Sequence, residues 1–176
     1  MQLESRQRGV SLIEVLMAVL IFSIGLIGLA GLMVISTRSN HSAYLRTQAT
    51  FLATNMAARM SANPAGVWGQ DYNSALYPVA AASAGCGAGA ACDAAGLATH
   101  DQQVWSTQLR TFLPNPTATI LCTGAGSAGF DPTSQMNRRP PYGGSCNMTI
   151  NWTERRAGDQ QHSDAEIRTF AWEFQP

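Results

Sequence analysis

The sequence contains no lysine at all and little charge of either sign. Eleven arginines balance eleven acidic residues among 176 positions, so the formal net charge is zero. A protein that binds nucleic acid presents a basic surface to the phosphates. A chain with equal numbers of basic and acidic residues does not predict such a surface. The arginines of the C-terminal part form only two short clusters, 138–139 and 155–156. We therefore expect no nucleic acid partner.

Patterns typical of catalysis and metal binding are also lacking. His41, His100 and His162 are far apart and show no ligand spacing, and neither G-x-S-x-G nor H-E-x-x-H occurs. The Ala/Gly-rich segment 79–98 includes G-C-G-A-G, but no strand pattern precedes it and no Lys-Ser/Thr follows, so a surface loop is predicted there. We expect no catalytic residues, no cofactor and no metal, and hence a protein that is not an enzyme.

Cysteine is scarce, and its position is informative. Cys86, Cys92, Cys122 and Cys146 all follow the long apolar segment described next. Four cysteines without zinc-type spacing predict two disulfides in an oxidising compartment. Of the three possible pairings we favour the sequential one, Cys86–Cys92 and Cys122–Cys146. Loop-closure entropy assigns these rings about 2.4 and about 3.5 kcal/mol.

The chain does have one long uncharged run, Val15 to Ile35, which is 21 residues and enough to cross a bilayer as a single helix. Its apolar residues lie all round the helix, and Glu14 stands at its start. An ionisable group at a membrane helix costs about 2.5–3.5 kcal/mol and indicates function. A signal peptide or signal anchor is the alternative, but the run exceeds an ordinary signal core and no A-x-A-like site closes it.

The segment 8–30, R-G-V-S-L-I-E-V-L-M-A-V-L-I-F-S-I-G-L-I-G-L-A, resembles the class III leader and N-terminal helix of type IV pilins and secretion pseudopilins. In that family a prepilin peptidase cuts after a glycine, the new first residue is N-methylated, and the fifth residue is glutamate. The resemblance implies cleavage between Gly9 and Val10, N-methylation of Val10, and Glu14 in the glutamate position. Val10 departs from the usual phenylalanine.

Glu14 is expected to serve in subunit docking. Among packed apolar helices its charge would lose water, which is unfavourable unless a cation is close. Cleavage after Gly9 creates such a cation, the amino group of Val10, on every subunit. At 4 Å and an effective dielectric constant near 20, the pair is worth about 4 kcal/mol before desolvation is subtracted.

A second stretch, R-M-S-A-N-P-A-G (59–66) followed by aromatic residues, resembles the minor pilins described as type IV pilus modification proteins, PilV. This resemblance implies a structural minor pilin that helps to prime and assemble a type IV pilus. Its implied partners are prepilin peptidase, other minor and major pilins, and the pilus assembly machinery of the inner membrane. Two alternatives stay open: a pseudopilin of a type II secretion system, and a DNA- or surface-binding pilin.

The orientation in the membrane is not decided by arginine, because Arg6 and Arg8 before the run are balanced by Arg38 and Arg46 after it. The cysteines favour an oxidising location for everything after the run. We therefore expect a bacterial inner-membrane protein that crosses once, with a cytoplasmic N-terminus and a periplasmic head, and that reaches the cell surface in an assembled pilus.

Four segments are predicted: a leader (1–9), a transmembrane or filament-core helix (10–35), an amphipathic half of the same helix (36–63) and a globular pilin head (64–176). The helix is expected from about residue 11 to residue 62, with Asn63-Pro64 as its stop. A break near residues 36–42 is the alternative. The core-facing stripe of the second half steps by three or four residues: Leu45, Ala49, Leu52, Met56 and Met60.

The head is predicted to be α+β, with the long helix packed on a small antiparallel sheet, as in the pilin fold. Thr99 and Gln102 form a capping-box pattern before a short helix in which Trp105 is the core anchor. Strands are expected at 119–122, 146–153 and 167–174, the last two from alternation of apolar and polar residues.

Overall fold

The computed structural model describes residues 9–80, 86, 91–123, 142–155 and 165–176. Its elements are α1 (Leu12–Ala62), α2 (Pro64–Trp68), β1 (Ser74–Tyr77), α3 (Ala94–Phe112), β2 (Thr117–Thr123), β3 (Ser145–Arg155) and β4 (Ala165–Phe174). The fold is α+β, as predicted. The chain forms two compact units, residues 1–41 and residues 42–176, here called the N-terminal unit and the head.

In the N-terminal unit, α1 is exposed along its whole length. It is the one helix among the described residues that is long and apolar enough to cross a membrane. The hydroxyl groups of Ser23 and Thr37 donate to the carbonyl oxygens of Val19 and Met33, four residues earlier. Because these polar side chains bond to their own helix, they do not interrupt it. The alternative of a break near residues 36–42 is therefore wrong.

In the head, α1 continues from Ser42 and supplies the spine of the core. All five residues of the predicted stripe are buried: Leu45, Ala49, Leu52, Met56 and Met60. They belong to the same apolar cluster as Ile120 of β2 and Ile150 of β3, so this half of the helix packs on the sheet as predicted. The stripe was predictable because side chains spaced by three and four residues share one side of a helix.

The sheet has the order β1-β2-β3-β4, and every neighbouring pair is antiparallel. The predicted alternation is confirmed, since Met148, Ile150 and Trp152 are buried against the helix. In β4, Phe174 is buried and its ring stacks on that of Trp172 at 4.7 Å between centroids. The strands extend one or two residues beyond the predicted ends, except that β4 ends at Phe174 as predicted. The four-residue β1 carried no pattern strong enough to be predicted.

The prediction of a capping box at Thr99 is wrong. Helix α3 begins at Ala94, because the Asp93 carboxylate accepts a hydrogen bond from the Gly96 amide at 2.7 Å. Thr99 lies inside the helix and donates to the Ala95 carbonyl, and Gln102 donates instead to the Asp71 carbonyl. The predicted loop therefore ends at residue 93. Aspartate is at least as good an N-cap residue as threonine. Alanine has the highest helix propensity, so the alanines after Asp93 favour a helix that begins there.

Trp105 is the core anchor that the sequence indicates. It is fully buried, and its indole nitrogen donates a hydrogen bond to the Leu52 carbonyl oxygen at 2.9 Å. The ring of Tyr77 meets it edge-on at 5.1 Å between centroids. Because an indole N–H needs a partner when it is buried, this bond ties α3 directly to the backbone of α1.

Candidate processing and docking segment

The residues before α1 are exposed and not helical. Gly9, Val10 and Ser11 precede the first helical residue, Leu12, and the Ser11 carbonyl oxygen accepts hydrogen bonds from the amides of Glu14 at 3.0 Å and Val15 at 3.3 Å. The helix thus begins one residue later than the predicted start near residue 11. An amino group created at Val10 would lie outside the helix.

The Gly9–Val10 bond lies in an exposed stretch that is not helical. Both residues are exposed, and a Cβ atom added at Gly9 would meet no other atom within 4 Å. Packing against the described residues therefore does not require glycine at this position. An exposed, non-helical peptide bond is the kind of site that proteases cut. The leader residues 1–8 lie outside the described residues.

Glu14 lies in the first turn of α1 and is exposed. A carboxylate there interacts favourably with the helix dipole by about 0.3–1 kcal/mol. The ion pairs among the described residues join Arg59 to Asp101 and Arg168 to both Glu154 and Glu166, so none of them involves Glu14. Within the part of the chain that is described, the carboxylate of Glu14 is not used to hold the fold together.

Two disulfides are formed, Cys86–Cys92 and Cys122–Cys146, which is the sequential pairing. Cys122 and Cys146 lie directly opposite each other on β2 and β3, with their Cα atoms 3.9 Å apart. Both are buried in the core. This bridge therefore links two strands on the face that packs against α1, whereas Cys86–Cys92 closes a short loop before α3.

We expect the two bridges to differ in their effect on stability. Replacing Cys122 and Cys146 by serine should lower the free energy of unfolding by about 3.5 kcal/mol, against about 2.4 kcal/mol for serine at Cys86 and Cys92. The larger ring restricts the unfolded chain more, and its sulfurs are buried. Urea unfolding of the two double variants, with non-reducing peptide mapping of the parent, measures this. A peptide linking Cys92 to Cys122 would contradict the pairing.

Within the stretch 59–66, the side chain of Asn63 makes hydrogen bonds that stabilise the head. The Asn63 side-chain oxygen accepts a hydrogen bond from the Gly66 amide at 3.3 Å and so caps α2. Its Nδ2 donates to the Tyr72 hydroxyl at 3.1 Å and to the Ala94 carbonyl oxygen at 2.8 Å. A Cβ at Gly66 would lie 2.5 Å from that Nδ2 atom. Glycine is therefore required by the close approach of Asn63.

An ion pair whose carboxylate is buried continues this network. The Arg59 guanidinium contacts the Asp101 carboxylate at 2.8 Å, and the Tyr72 hydroxyl donates to the other carboxylate oxygen of Asp101 at 2.8 Å. Burial raises the pKa of Tyr72, so its phenol stays a donor at neutral pH. The network joins α1, the turn before β1, and α3. Asp101 and Tyr72 were missed because neither stands in a pattern with Arg59.

Comparison with known proteins bears on the N-terminal segment. A family model described as the prokaryotic N-terminal methylation motif matches residues 5–30, a range that includes Gly9, Val10 and Glu14. No curated protein and no solved structure matched the chain. No group of three or more metal-ligating side chains occurs in the described ranges.

The match covers 26 of the 176 residues. Together with the apolar N-terminal helix and the α+β head, it supports a structural subunit rather than an enzyme. A leader of this class implies processing by a prepilin peptidase and a place in a pilus or secretion machine. The N-terminal segment thus supports a membrane-anchored protein of the pilin or pseudopilin type.

Proposed function

We propose that this protein is a minor pilin of a type IV pilus, a membrane-anchored subunit that helps to prime and assemble the filament and so contributes to adhesion and twitching motility. The observation that carries the proposal is the methylation motif at residues 5–30, which leads into a helix whose second half is the spine of the head. A PilV-type minor pilin is favoured by the resemblance of the stretch 59–66 to that group. In the head, Arg59, Asn63 and Gly66 of this stretch have structural roles.

The four proposed segments have separate tasks. Residues 1–9 are the leader that prepilin peptidase removes, and residues 10–35 are the membrane anchor and filament-core helix. Residues 36–63 are the amphipathic half of the helix, and residues 64–176 form the periplasmic head. The N-terminus is cytoplasmic, which agrees with disulfides confined to the head. The partners are other minor and major pilins and the inner-membrane assembly machinery.

A pseudopilin of a type II secretion system is the second candidate, because the motif at residues 5–30 fits both machines equally. Mass spectrometry of sheared surface pili, compared with purified secretion complexes from the same cells, separates the two. Recovery in pili together with major pilin supports the first; recovery only with secretion components supports the second. The DNA-binding alternative depends on the arginine clusters 138–139 and 155–156. Arg138, Arg139 and Arg156 lie outside the described residues, and Arg155 is the last residue of β3.

Processing is the direct test of the proposed function. We expect the mature protein to begin at Val10 with a methylated amino group, because the Gly9–Val10 bond is exposed and precedes the helix. Intact-mass and N-terminal peptide analysis of the membrane and pilus fractions measures it. A Gly9→Val variant should keep its leader and stay in the membrane, while Ser23→Ala serves as the control. Met1 found in assembled pili would contradict the proposal.

A further inference from the structure

One end of the sheet lies beside the point where α1 enters the head. The Ser42 hydroxyl donates a hydrogen bond to the Glu154 carboxylate at 2.8 Å, and Glu154 is next to the last residue of β3. At the other end of β3, the ring of Tyr142 is 5.0 Å from that of Trp68, which follows α1. The strand β3 therefore runs back along α1. We call its end beside Ser42, with the residues of β4 that pair there, the near end: residues 151–155 and 165–169.

The near end is close to the bilayer that α1 would cross. The uncharged run ends at Ile35, and six residues separate it from Ser42. This link is about 10.5 Å long as a helix and at most about 25 Å long when extended. The headgroup layer outside the hydrocarbon core is about 5–8 Å thick on each side. The head therefore begins within reach of the lipid headgroups, whatever angle the link adopts.

The near end exposes one large apolar side chain on the face of the sheet that points away from α1. Ile167 is 68% exposed and pairs with Thr153, the residue after the buried Trp152, so Ile167 and Thr153 point to that outer side. At the opposite end of the same face, Leu121 stands in one row with the acidic Glu173. The outward positions around Ile167 hold uncharged residues and one cation: Thr117, Asn151, Thr153, Thr169 and Arg155.

The polar groups beside Ile167 bond to one another. The Thr169 hydroxyl donates to the Asn151 side-chain oxygen at 2.8 Å, and the Asn151 amide donates to the Thr117 hydroxyl oxygen at 3.4 Å. Polar groups that already have protein partners lose less when they leave water. An exposed isoleucine among such groups therefore suits the boundary between water and lipid, where apolar side chains are partly buried.

The ionic groups close to the near end favour an anionic surface. Arg38 and Arg46 lie four residues before and four residues after the start of the head, so both share one side of α1. Both are exposed, and neither takes part in an ion pair among the described residues. The two carboxylates of the near end are partly neutralised by Arg168, which is 3.6 Å from Glu154 and 3.2 Å from Glu166. The two unpaired guanidinium groups can therefore bind lipid phosphates.

We propose that the near end of the sheet contacts the surface of the bilayer while the subunit is still anchored, with Ile167 in the headgroup layer and Arg38 and Arg46 at lipid phosphates. One isoleucine would not hold a free protein on a membrane, but the anchor keeps the head at a high effective concentration beside it. Membrane helices tilt by about 20° on average, and a tilt toward the sheet brings Ile167 to the lipid. The inference rests on the proposed function, because it requires α1 to be the membrane anchor.

The test is photo-cross-linking of the full-length protein in vesicles of phosphatidylethanolamine and phosphatidylglycerol. A photoreactive amino acid replaces Ile167, and the matched control places it at Leu121, which is 49% exposed on the same face. The two rows are six residues apart along β4, about 20 Å. We expect mass spectrometry to find lipid adducts from position 167 in yield about tenfold above position 121. Equal yields, or no lipid adduct from position 167, would overturn the proposal.

An added carboxylate gives an independent readout. Thr169 and Thr123 are exposed threonines at the two ends of the same face. With the probe at position 167, Thr169→Glu should lower the yield of lipid adducts about fivefold, because phosphate repels it, while Thr123→Glu should leave the yield unchanged. Equal effects of the two variants refute the contact. Full-length protein that does not float with the vesicles contradicts the proposed function as well, whereas anchored protein without the excess at position 167 overturns this inference alone.

Discussion

Replacing Arg59 by methionine is expected to lower the free energy of unfolding of the head by about 3 kcal/mol, near the lower end of the range for breaking a buried ion pair. The Arg59 side chain is 26% exposed, but the Asp101 side chain is only 9% exposed. The variant would leave the Asp101 carboxylate buried without its cation. The Tyr72 hydroxyl, which donates to the same carboxylate, stabilises it only in part.

The measurement is urea unfolding of the full-length protein in detergent, followed by tryptophan fluorescence. All four tryptophans lie in the head, so the signal reports on that unit: Trp68, Trp105, Trp152 and Trp172. Adding Asp101→Asn to Arg59→Met should recover most of the loss, because the buried charge disappears and an acceptor for Tyr72 remains. A double variant as unstable as the sum of both single changes would show that charge is not the cause.

A surface ion pair provides the matched control. Arg168 and Glu166 are 3.2 Å apart, and their side chains are 48% and 45% exposed. Glu166→Gln should cost less than about 1 kcal/mol, because water screens exposed charges. If this variant destabilised the head as much as Arg59→Met, burial would not be what distinguishes the two pairs.

Replacing Glu14 by alanine is expected to leave leader cleavage and membrane insertion intact and to abolish most incorporation into the pilus. Insertion becomes easier, since the segment loses an ionisable group that costs about 2.5–3.5 kcal/mol. Incorporation suffers because the amino group of Val10 on a neighbour would lose its partner. The ion pair between Glu14 and the Val10 amino group is worth about 4 kcal/mol at 4 Å before the cost of desolvation is subtracted. Because desolvation offsets much of this energy, we expect the pair to disfavour subunits that enter out of register more than to strengthen binding.

Immunoblots of membrane and sheared-pilus fractions measure this effect. Glu14→Gln keeps the size of the side chain and removes its charge, so it should behave like Glu14→Ala if the charge pair matters. Ser23→Ala, a change in the same helix away from Glu14, is the control. Wild-type amounts of either Glu14 variant in pili would show that Glu14 has no docking role in this protein.

The features that could be predicted from sequence are those that depend only on residues close together in the chain. The buried stripe of α1, represented by Leu45 and Met56, follows from helical periodicity. The inward side of β3, with Met148 and Ile150, follows from strict alternation. Proline at position 64 ends α1 at Ala62 because its ring is incompatible with continuing the helix through Asn63.

The sequence by itself determined the N-terminal methylation motif and the uncharged run that follows it, since both are contiguous and depend on no distant contact. The tertiary structure alone decided how Arg59, Asn63 and Gly66 are used. Arg59 and Asp101 are 42 residues apart, and only the packing of α3 on α1 brings their charges within 2.8 Å. Local patterns record which side of an element is apolar, but not which polar groups must meet when two elements pack.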